Sequence, residues 1–184
     1  MKLIKKEIQD QNLDFFDSEM SIYGYLKNYN EHYKLLKYIS LQYNNIIILD
    51  LGTACGHSAL ALSQNKNNKI ITYDLDKRSD LIDNISNIER VLLDCNLIDN
   101  TIIESASVIL LDIDPHDGSQ EIRFYNKLKT TKFKGILFCD DINLNDGMKD
   151  FWETVIEEKY DISDLGHFSG TGLINFGDEK IEIS

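Results

Sequence analysis

Five apolar runs separated by helical segments constrain the fold of this chain most strongly. The apolar runs are residues 46–50, 69–74, 90–94, 107–112 and 135–140, and the helical segments are 58–63, 79–88, 121–128 and 147–159. Continuous apolar runs of this length are typical of strands buried on both faces of a parallel sheet. Their alternation with helices predicts an α/β fold with right-handed crossovers.

Both ends of the chain extend this framework. Residues 22–41 carry apolar and aromatic side chains at helical spacing, which predicts one or two helices within an N-terminal helical cap, 1–45. Segments 160–165 and 171–176, divided by a glycine-containing turn, predict a C-terminal antiparallel strand pair. At 184 residues, the chain is expected to form a single domain over residues 1–184.

Charge and cysteine usage exclude several classes of function. The chain has 31 Asp and Glu against 19 Lys and Arg, a net charge of −12, so a basic stripe for phosphate backbones is not expected. Three cysteines without a Cys-x-x-Cys pair predict reduced thiols. No apolar run approaches the roughly 20 residues that a membrane span needs. We expect a cytoplasmic protein without nucleic-acid or membrane partners.

Aspartates stand at the ends of the predicted strands. In open α/β sheets, ligands bind outside the carboxyl ends of the strands, near the point where the strand order reverses. The acids are therefore expected at the functional edge of the sheet. They are Asp50, Asp74, Asp94, Asp112 and Asp140.

A glycine-rich loop follows the first predicted strand and opens a helix. It reads Asp-Leu-Gly-Thr-Ala-Cys-Gly over residues 50–56, and Gly52 and Gly56 allow positive φ or close backbone approach. A dinucleotide fingerprint fails at its last position, where the chain has His57. A Walker loop is excluded because no Gly-Lys-Ser/Thr follows.

With the later acids, this loop resembles the class I S-adenosylmethionine-dependent methyltransferases. The pattern Asp50-x-Gly52-x-Ala54-x-Gly56 fits their first motif. The following Gly-x-Ser-Ala-Leu is similar to a branch that contains small O-methyltransferases and cephalosporin-hydroxylase-like proteins. The resemblance covers residues 45–176. It implies a Rossmann-like fold with a mostly parallel seven-stranded sheet and helices on both faces.

The resemblance implies S-adenosylmethionine as the cofactor. Loop N–H groups would meet its carboxylate, and Asp50 would offset the positive charge of the methionine end. Asp74 would accept both ribose hydroxyls, with a helix N-cap as its alternative role, and Asp94 would lie near the adenine amino group. The predicted cofactor contacts are Asp50, Gly52, Thr53, Ala54, Gly56, Ser58, Asp74, Asp94, Cys95 and Asp112.

A second group of acids follows the fourth and fifth strands. Asp112, Asp140 and Asp141 would converge there, since neighbouring strands lie about 4.8 Å apart. Carboxylates at ~4 Å repel by roughly 4 kcal/mol per pair at an effective dielectric of about 20. The pattern resembles metal-dependent catechol-type O-methyltransferases, and ligation by oxygens alone favours Mg²⁺, with Ca²⁺ or Mn²⁺ as alternatives. Without an ion, Asp141 and Asn143 would cap the next helix.

The proton acceptor departs from the catechol-type pattern. That pattern has a lysine three residues after the first acid, where this chain has Pro115. The neighbouring His116 is the candidate base, because an imidazole titrates near neutral pH, and Asp112 is the second predicted catalytic residue. Among the other histidines, His167 is an outside candidate. His32 and His57 are expected to be structural or adjacent to the cofactor.

Together these features predict a divalent-metal-assisted O-methyltransferase that acts on a hydroxyl of a small molecule. Only residues 1–45 precede the first strand, which leaves little material for docking a macromolecule. The Asn-Pro-Pro-Tyr motif of amino-methylating DNA enzymes is absent after strand four. Because the lysine is missing, a cofactor-binding relative that is regulatory or does not methylate is the alternative. The sequence leaves open whether the chain forms a homodimer.

Overall fold

The structure is a computed structural model that describes residues 1–16 and 32–184. Of the one or two helices predicted over residues 22–41, one is present at Tyr33–Gln42. Residues 22–31 of that predicted segment lie outside the described residues. A second short helix, Lys5–Gln9, lies near the start of the chain. None of the helices within the described ranges is long and apolar enough to cross a membrane.

The elements alternate along the chain as expected for an α/β fold. The described strands are β1 (Lys2–Leu3), β2 (Ile47–Leu51), β3 (Lys69–Asp74), β4 (Ile88–Leu92), β5 (Ala106–Leu111), β6 (Ile136–Asp140), β7 (Glu158–Asp161), β8 (Thr171–Asn175) and β9 (Glu182–Ile183). The described helices are α1 (Lys5–Gln9), α2 (Tyr33–Gln42), α3 (His57–Leu62), α4 (Asn100–Ser105), α5 (Ser119–Lys129) and α6 (Asp146–Thr154).

The glycine loop lies at the topological switch point of the sheet, where the strand order changes direction. Seven strands follow the order β4-β3-β2-β5-β6-β8-β7, and β1 and β9 form a separate parallel pair. Strand β2 pairs in parallel with both β3 and β5, so the loops that follow β2 and β5 flank the switch point. Strand β8 runs antiparallel to β6 and β7. The predicted seven-stranded, mostly parallel sheet is confirmed.

Helices cover both faces of the sheet and explain why its strands are apolar throughout. On β2, Ile48 packs into the core that contains α2 and α3. Its neighbours Leu49 and Leu51 pack into the opposite core, which contains α5 and α6. Side chains alternate between faces along a strand, so a continuous apolar run is buried on both sides.

The predicted helix over residues 79–88 is wrong. The structure has successive turns there, in which the Asp83 amide bonds to the Asp80 carbonyl at 3.2 Å, a span of three residues and not four. Asp and Asn favour turns because their side chains bond to nearby backbone groups. Strand β4 begins at Ile88, two residues before the predicted start, and therefore ends before Asp94.

The last predicted helix is shorter than residues 147–159. Helix α6 ends at Thr154, and the backbone of Val155 is already extended with ψ 122°. A β-branched residue restricts its own side-chain rotamers and favours this change. The following residues form β7, so the antiparallel pair uses Glu158–Asp161, while Ser163–Leu165 form a 3₁₀ turn.

Candidate active site

A cavity of about 430 Å³ opens at the carboxyl edge of the sheet, beside the loops that follow β2 to β5. Its volume is in the range of pockets that hold small ligands. The predicted cofactor residues that line it are Gly52, Ala54, Asp74, Asp94, Cys95 and Asp112. The predicted contacts that are buried and do not line it are Asp50, Thr53, Gly56 and Ser58.

Gly52 lies where the loops after β2 and β5 meet. Its φ is +102°, and an added Cβ would lie 1.6 Å from the carbonyl oxygen of Asp112. Any other residue would collide with backbone that is held by the neighbouring strand. Gly56 also has positive φ, +90°, and precedes the first residue of α3. Both predicted roles of these glycines, positive φ and close approach, are confirmed.

The amides of the glycine loop bond within the protein. Those of Gly52 and Thr53 donate to the Tyr73 carbonyl at 2.9 and 3.1 Å, and that of Gly56 donates to the Thr53 carbonyl at 2.6 Å. The Ala54 amide donates to Asp74. These four donors already have acceptors, so the predicted contact of loop N–H groups with a cofactor carboxylate is wrong for them, and they shape the loop beside the cavity.

Both carboxylate oxygens of Asp74 are held by backbone amides. Its Oδ2 accepts from Ala54 at 2.7 Å, and its Oδ1 accepts from Leu75 at 2.7 Å and from Asp76 at 3.3 Å. The alternative role as a helix N-cap is wrong, because turns and not a helix follow β3. These three bonds leave one of the carboxylate's roughly four lone pairs free, on Oδ2. Asp74 is therefore a fixed acceptor on the cavity wall.

Asp50 is fully buried beneath the glycine loop. Thr72 donates its hydroxyl to Asp50 Oδ2 at 2.6 Å, and the Thr53 hydroxyl lies 2.5 Å from that of Thr72. Asp50 Oδ1 has no hydrogen-bond partner among the described residues. Burial raises the pKa of Asp50 to about 6, against the lowering effect of hydrogen bonds from Thr72 and Ser58.

Asp94 and Cys95 form the wall of the cavity beyond β4. Asp94 accepts the Asn96 amide at 2.8 Å and caps the short 3₁₀ turn that begins at Cys95. Burial raises the pKa of Asp94, but the hydrogen bonds from Asn96 outweigh it and hold the pKa below its ordinary value. Burial raises the pKa of the Cys95 thiol to about 12. Cys95 thus lines the cavity as a neutral thiol beside the ionised carboxylate of Asp94.

The acids after β5 and β6 converge, and the backbone shows how. Strand β6 ends at Asp140, and Asp141 has a left-handed backbone with φ +59°. Consecutive residues in a strand point to opposite faces, so the predicted end of the strand between them is confirmed. Asp140 and Asp141 are buried, and Asp112 on the neighbouring loop is partly exposed.

Two histidines lie among these acids. His32 Nδ1 is 3.2 Å from Asp140 Oδ1. His167 Nδ1 is 3.4 Å from the same oxygen and 3.0 Å from Asp141 Oδ1. Burial lowers the pKa of His32, but the negative charges of Asp140 and Asp112 outweigh it and raise the pKa to about 9. The structural role predicted for His32 is therefore incomplete, since this side chain belongs to the acid cluster.

Ser169 completes the contacts of Asp141. Its hydroxyl donates to Asp141 Oδ1 and lies 2.5 Å from His167 Nδ1. Burial raises the pKa of Asp141, while hydrogen bonds from His167 and Ser169 lower it below the ordinary value. His167 and Ser169 reach this position because the loop before β8 lies at the end of β6, to which β8 is antiparallel.

His116 faces both the cavity and the acid cluster. It follows the cis Asp114–Pro115 bond and has a left-handed backbone with φ +53°. Its Nδ1 is 3.5 Å from Asp141 Oδ2, and its Nε2 is 3.8 Å from Asp112 Oδ1. These are ion-pair distances and are longer than hydrogen bonds. His116 thus lies between the cavity and the acids, at ion-pair distance from Asp112 and Asp141.

Two sets of three ligand atoms lie close enough together for one ion in the described part of the chain. One set is His32, Asp112 and Asp140, and the other is Asp140, Asp141 and His167. Both donor sets fit a divalent cation, since carboxylates and imidazoles are common ligands. Neither contains all three predicted acids, so the structure differs from the expected ligation by oxygens alone.

Comparison with known proteins supports the fold. No protein-family model matches the chain, and no curated protein sequence matches it. Among solved structures, the S-adenosylhomocysteine-bound methyltransferase PaMTH1 of Podospora anserina has a TM-score of 0.63 at 14% identity, covering 94% of this chain and 86% of that one. The S-adenosylmethionine-bound O-methyltransferase TomG of Streptomyces achromogenes, involved in tomaymycin synthesis, has a TM-score of 0.56 at 15% identity and covers 79% of both chains.

A third similar structure has a different kind of substrate. It is an rRNA methylase from Streptococcus thermophilus, with a TM-score of 0.54 at 14% identity, covering 77% of this chain and 93% of that one. Identities this low establish the fold and not the activity. The chain has the class I methyltransferase fold, which neighbours with different acceptors share.

Proposed function

We propose that this chain is an S-adenosylmethionine-dependent O-methyltransferase that acts on a hydroxyl of a small molecule with the help of a divalent cation. The observation that carries the proposal is a single cavity with Asp74 on one wall and His116 and Asp112 on another. A methyl donor held by Asp74 would lie beside groups that can receive a proton. The cavity thus combines the two requirements of methyl transfer to a hydroxyl.

The residues along the cavity match the parts of the cofactor. The carboxylate of Asp74 is fixed by three amides and can still accept one ribose hydroxyl, at Oδ2, where the sequence predicted both. Asp94 can accept the adenine amino group, and the neutral Cys95 lies beside it. Asp50 lies behind the loop, where its charge can offset the ammonium group without contact.

His116 is the group that we assign to proton removal. In the reaction, the carbon–sulfur bond of the sulfonium breaks as the carbon–oxygen bond forms, and the hydroxyl proton must leave. His116 can accept that proton, and carboxylates of Asp112 and Asp141 within 3.8 Å would stabilise the imidazolium. A divalent cation held by the acid cluster would lower the pKa of the acceptor hydroxyl.

Charge supports a small acceptor. The chain carries a net charge of −12, and a protein that binds nucleic acid through phosphates needs basic side chains near its site. The cavity lining has two arginines, Arg78 and Arg123, and five aspartates, Asp74, Asp76, Asp94, Asp112 and Asp114. A neutral or cationic small molecule with a free hydroxyl fits this lining better than a polyanion.

Binding of S-adenosylhomocysteine to Asp74→Ala tests the cofactor half of the proposal. Loss of the hydrogen bond to the ribose and of the anchor for three amides should weaken binding by roughly 10- to 100-fold. Isothermal titration calorimetry measures the change. Asp80→Ala is the matched control, because its side chain is 87% exposed and lies outside the cavity lining, and it should bind like wild type. Equal binding by both variants would contradict the site.

Turnover tests the chemical half. Purified protein with labelled S-adenosylmethionine should methylate members of a panel of catechols, sugars and polyketide alcohols, and His116→Gln should lower the rate while S-adenosylhomocysteine still binds. Binding without any transfer across the panel would support the alternative, a regulatory relative that does not methylate.

A further inference from the structure

The acid cluster holds imidazole nitrogens at the spacing of metal ligands. Asp140 Oδ1 lies 3.2 Å from His32 Nδ1 and 3.4 Å from His167 Nδ1. Two ligand atoms at about 2.1 Å from one ion, at tetrahedral or octahedral angles, lie roughly 3.0–3.4 Å from each other. Each of these nitrogens could therefore share one ion with the carboxylate oxygen between them.

Hydrogen bonding within the protein accounts for the position of His167, whose Nδ1 lies at hydrogen-bond distance from Asp141 Oδ1 and Ser169 Oγ, but not for that of His32. Among the described residues, Asp140 Oδ1 and both ring nitrogens of His32 have no hydrogen-bond partner. His32 is only 3% exposed and Asp140 only 5%. Polar atoms buried this deeply nearly always have a partner. The close approach of His32 to Asp140 is an ion pair without hydrogen-bond alignment, and both side chains face the cluster.

The remaining acids complete two separate sets of ligand atoms, and neither set contains both histidines. Asp112 completes one set of three ligand atoms with His32 and Asp140, and Asp141 completes the other with His167 and Asp140. Asp140 belongs to both sets. The imidazole rings of His32 and His167 have centroids 5.7 Å apart, so they stand on two sides of this shared carboxylate.

We propose that His32 is a direct ligand of a first-row transition-metal ion, with Asp112 and Asp140 as its carboxylate partners, and that this site prefers such an ion to Mg²⁺. Imidazole nitrogen suits ions from Mn²⁺ to Zn²⁺, whereas Mg²⁺ takes oxygen ligands in octahedral geometry. The inference rests on the cation site of the proposed function, but it requires no methyl transfer.

Co²⁺ is the probe that tests this inference in the full-length chain. After removal of metals with a chelator, Co²⁺ should bind at one equivalent and at least roughly 100-fold more tightly than Mg²⁺. Visible ligand-field absorption and calorimetry measure the binding. The variant His32→Gln should weaken Co²⁺ binding at least roughly tenfold and change the absorption spectrum, because it removes the nitrogen ligand. The variant His167→Gln, whose side chain belongs to the other set, should keep the absorption spectrum of the wild type.

His57→Gln is the matched control for these variants. His57 begins α3, packs near the rings of Phe16 and Tyr33, and belongs to neither ligand set. Its variant should bind Co²⁺ like wild type. Circular dichroism establishes whether each variant is folded, and pulsed electron paramagnetic resonance of Mn²⁺-loaded wild type supplies a test that needs no substitution. Nitrogen couplings from imidazole are expected.

The outcomes separate this inference from the proposed function. Wild type that binds no Co²⁺, or binds Mg²⁺ as tightly, overturns the inference, as do Mn²⁺ spectra without nitrogen couplings. In each case, binding of S-adenosylhomocysteine and methyl transfer can still support the proposed function. Nitrogen-ligated metal without any cofactor binding would support the inference and contradict the proposed function.

Discussion

Asp74 and Asp140 both end strands at the same edge of the sheet, yet their carboxylates are held in different ways. Asp74 accepts three backbone amides and lines an open cavity. Asp140 is buried beside two imidazoles, and its Oδ1 has no hydrogen-bond partner among the described residues. The protein itself thus satisfies the carboxylate of Asp74, in the proposed cofactor region along the cavity, but not that of Asp140, in the acid cluster of Asp112, Asp140 and Asp141.

The difference indicates what each region requires. Backbone amides hold a carboxylate in one geometry, so Asp74 can present a fixed acceptor for a hydroxyl. The acid cluster places several charges in a buried space, which is stable only with pairing, protonation or a bound ion. We therefore expect substitutions of amide-held acids and of desolvated acids to affect stability with different signs.

The largest effect is expected where the two regions touch. In Gly52→Ala, the new Cβ would lie 1.6 Å from the Asp112 carbonyl oxygen and the backbone has φ +102°. We expect the free energy of unfolding to fall by more than about 3 kcal/mol in urea titrations. Ala54→Gly is the control, because Ala54 has φ +43° and loses only a Cβ. Its change should stay within about 1 kcal/mol.

The next effect concerns Asp50, a cofactor-region acid that is buried like the acid cluster. Its pKa of about 6 lies above the ordinary value of 3.8, so its ionisation destabilises the folded state. Asp50→Asn should stabilise the protein by roughly 1–3 kcal/mol at about pH 8. The advantage should disappear below about pH 4, where wild type is also neutral. S-adenosylhomocysteine binding should weaken at the same time.

Asp94→Asn is the matched comparison for this prediction. The pKa of Asp94 is lower than ordinary, so its ionised form is favoured in the folded state. This substitution should therefore destabilise the protein near neutral pH, the opposite sign to Asp50→Asn, and its cost should shrink as the pH falls through the pKa of Asp94. Urea titrations from about pH 2 to pH 8 measure both. Equal signs would remove the distinction between amide-held and desolvated acids.

The smallest effect is expected at the ion pair that joins the regions on the outside. Arg78 Nη2 lies 3.1 Å from Asp114 Oδ2, with the two side chains 47% and 66% exposed. Arg78→Ala should change the free energy of unfolding by less than about 1 kcal/mol, because water screens exposed pairs. Lys69→Ala, which removes a similarly exposed pair with Glu89, is the control. A larger loss in Arg78→Ala alone would mean that the two loops depend on this bridge.

Much of the sheet could be predicted from local pattern. The runs that became β2, β3, β5 and β6 are apolar because both faces are buried, and that property is visible without tertiary information. The turns at 79–88 were not predictable from spacing alone, since Asp and Asn side chains override helical periodicity. The pairing of β1 with β9 depends on residues at opposite ends of the chain.

The candidate site was predictable in part for the same reason. Asp74, Asp112 and Asp140 follow directly from the ends of parallel strands. The positions of His32 and His167 do not, because one precedes α2 and the other lies before an antiparallel strand. Only the order of β6 and β8 in the sheet brings the second histidine to the acids, and no nearby motif signals the first.

The contact between His32 and His167 also bears on how the chain folds. These rings, 5.7 Å apart, come from distant parts of the chain, so their approach closes a long loop. Long loops are closed late, after local and neighbouring-strand contacts have offset the lost chain entropy. An ion bound by His32 and the acids after β5 and β6 would therefore stabilise the native state after the transition state. The bound ion would slow unfolding far more than it speeds folding, so that edge of the sheet would unfold more slowly.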